Sequence, residues 1–218
     1  MMKVLSLRFS RACESYDRWA IPQRYCANKL KSLEDIEGRV LDLGCGTGLL
    51  SEGLSEVVGV DIAPKMAGLY RRRFGRAVVA DAHHLPFKDK SFDFVLSNFA
   101  LHWTDLEKSL PEALRVCAKT FLCAMPVEGS LPELGFPFPS VKKVLELLKG
   151  VKLRHFFTEP VPIPFKGWEL VRFFHYTGSS YNPSFVNGII SRKRVESMVK
   201  HIDNPAFIVL FFSCEVSL

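Results

Sequence analysis

Val40-Leu41-Asp42-Leu43-Gly44-Cys45-Gly46-Thr47-Gly48 is a short apolar run that stops in a glycine loop. Four residues are too few for a helix and suit a buried strand, and the glycines suit a tight turn at its end. Downstream the pattern repeats. Leu49, Leu50 and Leu54 predict a brief helix, and Val57-Val58-Gly59-Val60 a second strand ending at Asp61. Pro64 suits the first turn of a helix running through Met66, Leu69 and Tyr70 to Phe74. Residues 77–80 read as a third strand ending at Asp81, and residues 92–96 as a fourth ending at Ser97-Asn98. A helix is expected over 106–116, with Thr104 as its cap and Glu107 as capping-box partner, then a fifth strand over 120–124. Strands separated by helical patterns imply right-handed crossovers and a parallel sheet covered on both faces.

Outward from this frame, residues 1–37 are helical in pattern, with Phe9, Tyr16, Trp19, Tyr25 and Leu30 as apolar points. After Pro126 the rhythm breaks, and seven of the 13 prolines fall between Pro126 and Pro164. Residues 126–180 are therefore expected to form an insertion or substrate region rather than a linker, because the sheet is not yet complete. Helices are expected at 141–149 and 168–176, and a long apolar last strand at 207–216. The whole chain, 1–218, reads as one domain, with 1–37 as a helical lid.

The bulk numbers agree. A chain of 218 residues, 48% apolar and 24% charged, suits one α/β domain with a large core. Its 18 phenylalanines fit either an aromatic core or an apolar pocket. Net charge +6 reads as a mildly basic surface or as a match for an acidic partner. The run Arg71-Arg72-Arg73 with Arg76 falls at an expected helix end, where the macrodipole alone favours arginine. None of the six cysteines forms a CxxC pair, so no zinc ribbon or other metal site is expected. Residues 1–11 are too charged for a signal peptide, and no stretch approaches a membrane span. A cytoplasmic protein with reduced thiols, acting as a monomer or weak dimer, is the expectation.

In an open α/β sheet, ligands bind beyond the carboxyl ends of the strands. Four such ends here carry small or polar residues: the glycine loop, Asp61, Asp81-Ala82 and Asn98. Asp61 lies 17 residues after Gly44, where a carboxylate can accept both hydroxyls of a ribose. A nicotinamide site would have G-x-G-x-x-G and an acid about 20 residues on. This loop has G-x-G-x-G, preceded by Leu-Asp-Leu.

Residues 40–48 resemble the signature loop of class I S-adenosylmethionine (AdoMet)-dependent methyltransferases, and Leu85-Pro86-Phe87 with Ser91-Phe92-Asp93 resembles that family's turn into its fourth strand. The resemblance implies a Rossmann-like seven-stranded sheet, mostly parallel with an antiparallel last strand and helices on both faces. It implies AdoMet as cofactor, held by Gly44, Cys45, Gly46 and Gly48 of the loop. Asp61 would bind the ribose, and Ile62 and Met66 would flank the adenine. Asp81 and Ala82 would meet its edge, with Asn98 and Phe99 near the methionine part. A turn cap is the competing reading for Asp81. His83 and His84 read as solvated loop residues; His102 and Trp103 suit core packing and substrate contact equally.

Further stretches resemble the malonyl-acyl-carrier-protein O-methyltransferases of biotin synthesis. They are residues 8–12 with Tyr16, residues 96–103, Glu128-Gly129-Ser130-Leu131-Pro132-Glu133-Leu134, and residues 170–178. His175 stands where that family would have Lys, and residues 179–182 match it loosely. By this resemblance the acceptor is the free carboxylate of a malonyl thioester on an acidic carrier protein. A carboxylate is already nucleophilic, so no general base is needed, and catalysis rests on approach geometry and exclusion of water. Tyr16 and Arg172 are the residues expected at the reacting end, Arg172 gripping the carboxylate, with Arg154 a weaker candidate and a plain surface arginine the competing reading. Rival readings are a quinone-type C- or O-methyltransferase and a non-catalytic AdoMet-fold binding protein. A nucleic-acid amino-methyltransferase would typically carry Asn/Asp-Pro-Pro-aromatic at the fourth strand end, where this chain has Ser97-Asn98-Phe99-Ala100.

Overall fold

Seven strands form a single sheet in the order β3-β2-β1-β4-β5-β7-β6. The computed structural model describes residues 2–182 and 192–216, so Met1 of the N-terminal segment lies outside it. Three helices come first: α1 (Met2–Ala12), α2 (Tyr16–Trp19) and α3 (Ile21–Lys31). Then follow β1 (Val40–Leu43), β2 (Val57–Asp61), α4 (Pro64–Phe74), β3 (Ala77–Val79), β4 (Phe92–Asn98), α5 (Leu106–Val116) and β5 (Cys117–Pro126). The last third holds α6 (Val141–Leu147), β6 (Lys152–Pro162), α7 (Gly167–Tyr176), α8 (Arg192–Val199) and β7 (Ala206–Glu215).

The first five strands are mutually parallel. β7 runs antiparallel to both of its neighbours, β5 and β6. This is the expected mostly parallel sheet with an antiparallel last strand. Every residue of β1 is buried, as a central strand covered on both faces requires. One face packs Cys26, Leu30, Tyr70, Leu170 and Phe173 from α3, α4 and α7. The other packs Leu106, Leu110, Ala113 and Val116 of α5 with Val144 of α6.

Three sequence expectations change. Residues 49–54 form a succession of turns, not a helix. Gly48 and Gly53 adopt φ of +93° and +83°, outside the helical region, and the bonds Ser51 N–H to Gly48 O and Leu54 N–H to Ser51 O skip three residues rather than four. The cap of α5 is Asp105, whose carboxylate accepts from Glu107 N at 3.1 Å. Thr104 instead donates to Leu101 O at 2.7 Å, and the Glu107 side chain pairs with Lys143. Finally, residues 126–180 contain an unforeseen sheet strand, β6. Pro160 and Pro162 argued against it, yet β6 is an edge strand bonded only to β7, where missing N–H groups are tolerated.

The N-terminal helices lie over the carboxyl ends of the strands. Ser6 Oγ donates to Ile62 O at 3.0 Å, tying α1 to the loop after β2. Asp17 accepts from Thr47 Oγ1 in the glycine loop and pairs with Arg73 at 3.3 Å. Trp19 stacks on Tyr176 of α7, with ring centroids 5.2 Å apart. Among the described residues, no helix is long and apolar enough to cross a membrane.

Candidate cofactor and acceptor site

The glycine loop turns because it must. Gly44 has φ +76°, and a Cβ there would lie 2.1 Å from the Ala100 Cβ. Only glycine lets β1 turn this close to the chain leaving β4. The turn is pinned from below by Gly44 N–H and Cys45 N–H, which both donate to Val60 O at 2.8 and 2.9 Å.

Beyond this turn opens a cleft. Its walls bring together Gly44, Gly46, Asp61, Ile62, Met66, Ala82, Asn98, Phe99 and Tyr16. These are nine of the expected site residues, drawn from four strand ends, α2 and α4. Asp61 Oδ2 accepts from Gly46 N at 2.9 Å and Oδ1 from Ala63 N at 2.7 Å. An ionised carboxylate has about four lone-pair sites, so two remain for a ligand's hydroxyls. Burial raises the Asp61 pKa to about 6, and the two backbone bonds hold it from rising further. Phe99, where β4 ends, adopts φ +53°, a left-handed conformation uncommon for a non-glycine residue. Its N–H is held by Ala124 O at 2.8 Å.

Two smaller recesses adjoin the cleft. One runs beneath the glycine loop and includes Cys45, Thr47, Asp42, Gln23 and Asn98. There Ser51 Oγ donates to Asp42 Oδ2 at 2.8 Å, and burial pushes the Asp42 pKa up to about 7. The other is an aromatic chamber that shares Phe9, Tyr16, Phe99 and Trp103 with the main cleft. The described phenylalanines thus serve both ends left open by composition: Phe121, Phe211 and Phe212 fill the core, while Phe136, Phe138, Phe174 and Phe207 line this chamber.

Four expected residues stand apart from the main cleft. Cys45 is buried and lines only the recess beneath the loop; burial raises its thiol pKa. Gly48 packs against the Phe74 ring and lines none of these cavities. Asp81 accepts from His83 N at 3.0 Å and pairs with His83 Nδ1 at 2.8 Å, a turn-capping arrangement. His83 is not a free loop residue, because its Nε2 accepts from Asp105 N at 2.9 Å. Arg172 is exposed on α7 and lines none of these cavities. Arg154 pairs with Glu34 at 3.1 Å.

Sequence reasoning missed Gln23. It is only 4% exposed and borders both recesses. The signal was present: Gln23, Cys26, Ala27 and Leu30 follow helical core spacing, so a lone carboxamide interrupts an apolar stripe. His102 and Trp103, left open between core and site, both border the aromatic chamber.

Residues 41–123 match a family model described as a methyltransferase domain. A malonyl-[acyl-carrier protein] O-methyltransferase of Halorhodospira halophila is 44% identical over 126 residues, 50% of this chain and 43% of that protein. One of Yersinia pestis is 30% identical over 207 residues, 90% of this chain and 74% of that protein. The chain thus spans about two fifths of the length of the first relative and about three quarters of the second. A crystal structure of a SAM-dependent methyltransferase from Thermotoga maritima shares the fold, with TM-score 0.63, 19% identity, and coverage of 96% of this chain and 99% of that one.

Proposed function

Because this chain belongs to the S-adenosylmethionine-dependent methyltransferases, we propose that it transfers a methyl group to the free carboxylate of a malonyl thioester carried on an acidic acyl carrier protein. The observation that carries the reading is the cleft itself, in which a half-buried carboxylate with spare lone pairs meets apolar walls at four strand ends. That donor set fits a nucleoside with a short zwitterionic tail. Asp61 would accept the ribose hydroxyls, Ile62 and Met66 would flank the adenine, and Ala82 with Asp81 would border its edge. Gly44, Cys45, Gly46 and Gly48 would form the turn beside the methionine part, with Asn98 and Phe99 facing it. When bound, AdoMet supplies an electrophilic methyl on a sulfonium.

The chain's own residues then have two tasks. They orient the acceptor, and they keep water out. Tyr16 borders the main cleft and both recesses, so its ring stands between cofactor and acceptor spaces. Burial pushes its hydroxyl pKa well above the ordinary value, so Tyr16 stays protonated and acts as a wall and donor rather than as a base. No base is needed for a carboxylate nucleophile. α1 closes the cleft with Met2, Leu5 and Phe9. The malonyl substrate is supported by the two relatives' names, and an acidic carrier suits the net charge of +6.

The test is a transfer assay with AdoMet carrying a labelled methyl group, offered malonyl carrier protein, free malonate and a quinol in parallel. Label on the malonyl carrier, as a base-labile ester, is the expected result. Label only on the quinol would replace the acceptor and keep the reaction class. AdoMet binding without transfer to any acceptor would leave a binding protein.

A further inference from the structure

The arginine run at the end of α4 divides its work. Arg71 donates to Ala77 O at 2.7 Å and fastens the helix end to β3. Arg73 reaches the glycine loop. Its Nη1 donates to Thr47 O at 2.6 Å and to Asp17 Oδ2 at 3.3 Å, and its Nη2 to Glu52 Oε1 at 2.8 Å. One guanidinium thus joins the glycine loop, α2 and the turns at residues 49–54. Glu52 extends the link to α3 by accepting from Arg24 Nη1 at 3.1 Å. The macrodipole favours arginine at this helix end, but it does not choose these partners; the planar fork of donors does.

The next residue of α4 accounts for a glycine that lines none of the cavities. Gly48 has φ +93°, and a Cβ there would lie 2.1 Å from the Phe74 ring. Phe74 is therefore seated on the loop, and the Arg73 guanidinium lies over that ring at 5.3 Å. Thr47 completes the contacts. Its Oγ1 donates to Asp17 Oδ1, and Gly46 N, one residue earlier, donates to Asp61 Oδ2 at 2.9 Å. Asp17 directly follows Tyr16, whose ring borders the cleft, and both belong to a helix of only four residues, so whatever fixes Asp17 fixes Tyr16.

We propose that Asp17, Thr47 and Arg73 form a clasp that positions Tyr16 over the bound cofactor and sets how long the cofactor stays. The inference rests on AdoMet occupying the cleft and is independent of the acceptor. α1 and α2 border the cleft with Met2, Leu5, Phe9 and Tyr16, so the cofactor leaves past them. Lifting α2 breaks the bonds of Asp17 to Thr47 and to Arg73. Asp17 and Arg73 are positioning residues, acting on the cofactor through the Tyr16 ring. Water reaches the clasp: the Asp17 and Arg73 side chains are 39% and 33% exposed, and an open groove lined by Glu14, Asp17, Lys65 and Arg72 runs between the α1–α2 turn and α4. A single exposed ion pair is weak, which is why one arginine shared among several acceptors matters here, and dissolved salt screens it. Release of the cofactor therefore speeds up with ionic strength, through the clasp.

The experiment is a chase and needs no turnover. Labelled AdoMet is bound to the full chain and displaced by excess unlabelled AdoMet, and its release is timed at about 0.05 and 0.5 M salt. Wild type is expected to release it at least about threefold faster at the higher salt. Arg73→Ala is expected to release it at least about threefold faster than wild type at low salt and to lose the salt response. Asp17→Asn moves the rate the same way, and the double variant is no faster than the faster single one, as for two partners of one interaction. In a Tyr16→Ala background, Arg73→Ala should change release by less than about twofold, because the residue it acts through is gone. Release from wild type that ignores salt would overturn the proposal without any variant. So would additive effects of Asp17→Asn and Arg73→Ala, or an Arg73→Ala effect that persists in the Tyr16→Ala background. If wild type binds AdoMet normally and these results fail, the clasp alone falls. If wild type binds no AdoMet, the cofactor assignment falls with it.

Discussion

Two aspartates, one buried and one half-buried, separate the work of the site. Asp42 is 2% exposed and bonded to Ser51, and burial raises its pKa to about 7. Asp61 sits at the cleft, with its pKa raised to about 6. A raised folded-state pKa contributes stability that is fully present below the unfolded value of 3.8 and is lost as pH rises through the folded one. Asp42→Asn removes that loss, because an amide is never ionised. The variant's melting temperature should therefore gain at least about 3 °C more on wild type at pH 8 than at pH 5, the shift that ~1 kcal/mol produces in a chain of this size. Equal gains at both values would show that burial does not raise the Asp42 pKa. For Asp61 the linkage is to ligand. Ribose hydroxyls favour the ionised form, so AdoMet affinity should hold above pH 7 and fall below about pH 6, by up to about tenfold per unit. Calorimetric titrations across pH 5–8 read this directly. Asp61 and the glycines were legible in the sequence because backbone approach and strand-end acids leave a spacing. Gln23 was not read, because a polar residue in an apolar stripe discloses its purpose only once a cavity lies beside it.

At the scale of elements, helices were read best where an end signal is local. Pro64 opens α4 and Gly75 follows its end, and the observed span Pro64–Phe74 matches the reading. The body of α5 was equally plain, while its cap shifted by one residue because Thr104 and Asp105 are both good caps and only the folded geometry chooses. Asp105→Ala should lower stability by about 1 kcal/mol, measured by urea unfolding. Thr104→Ala should leave the Asp105 cap bond in place and cost less. β6 escaped because prolines in a sequence read as interruption. Its position at the sheet edge, which local sequence does not encode, removes that objection. Turns at residues 49–54 escaped for the converse reason: leucines at helical spacing outweighed Gly48 and Gly53, whose positive φ ends any helix there.

For the whole molecule, the sheet's topology gathers the site. β1 and β4 lie side by side at the centre, so the loop after β1 and the turn after β4 meet, and α1 and α2 close over them. The fold and the cofactor half were legible because they rest on one contiguous stretch, residues 40–98. The aromatic chamber was not, because it is assembled from α1, α2, α3, the turn after β4, the β5–α6 connection, α7 and β7, which only tertiary packing brings together. Arg172 illustrates the difference. It lay in a stretch with a family resemblance, yet it stands exposed on α7. Arg172→Ala should therefore leave the rate of methyl transfer to malonyl carrier protein within about twofold of wild type; a loss of tenfold or more would return it to the acceptor site. Binding of AdoMet in this cleft through Asp61 is tested by calorimetric titration of AdoMet into wild type and Asp61→Ala at pH 7.5. Wild type should bind one equivalent and the variant at least about tenfold more weakly, as expected for the loss of about 1.5–3 kcal/mol of charged hydrogen bonds. No binding by wild type, or unchanged affinity in Asp61→Ala, would contradict it.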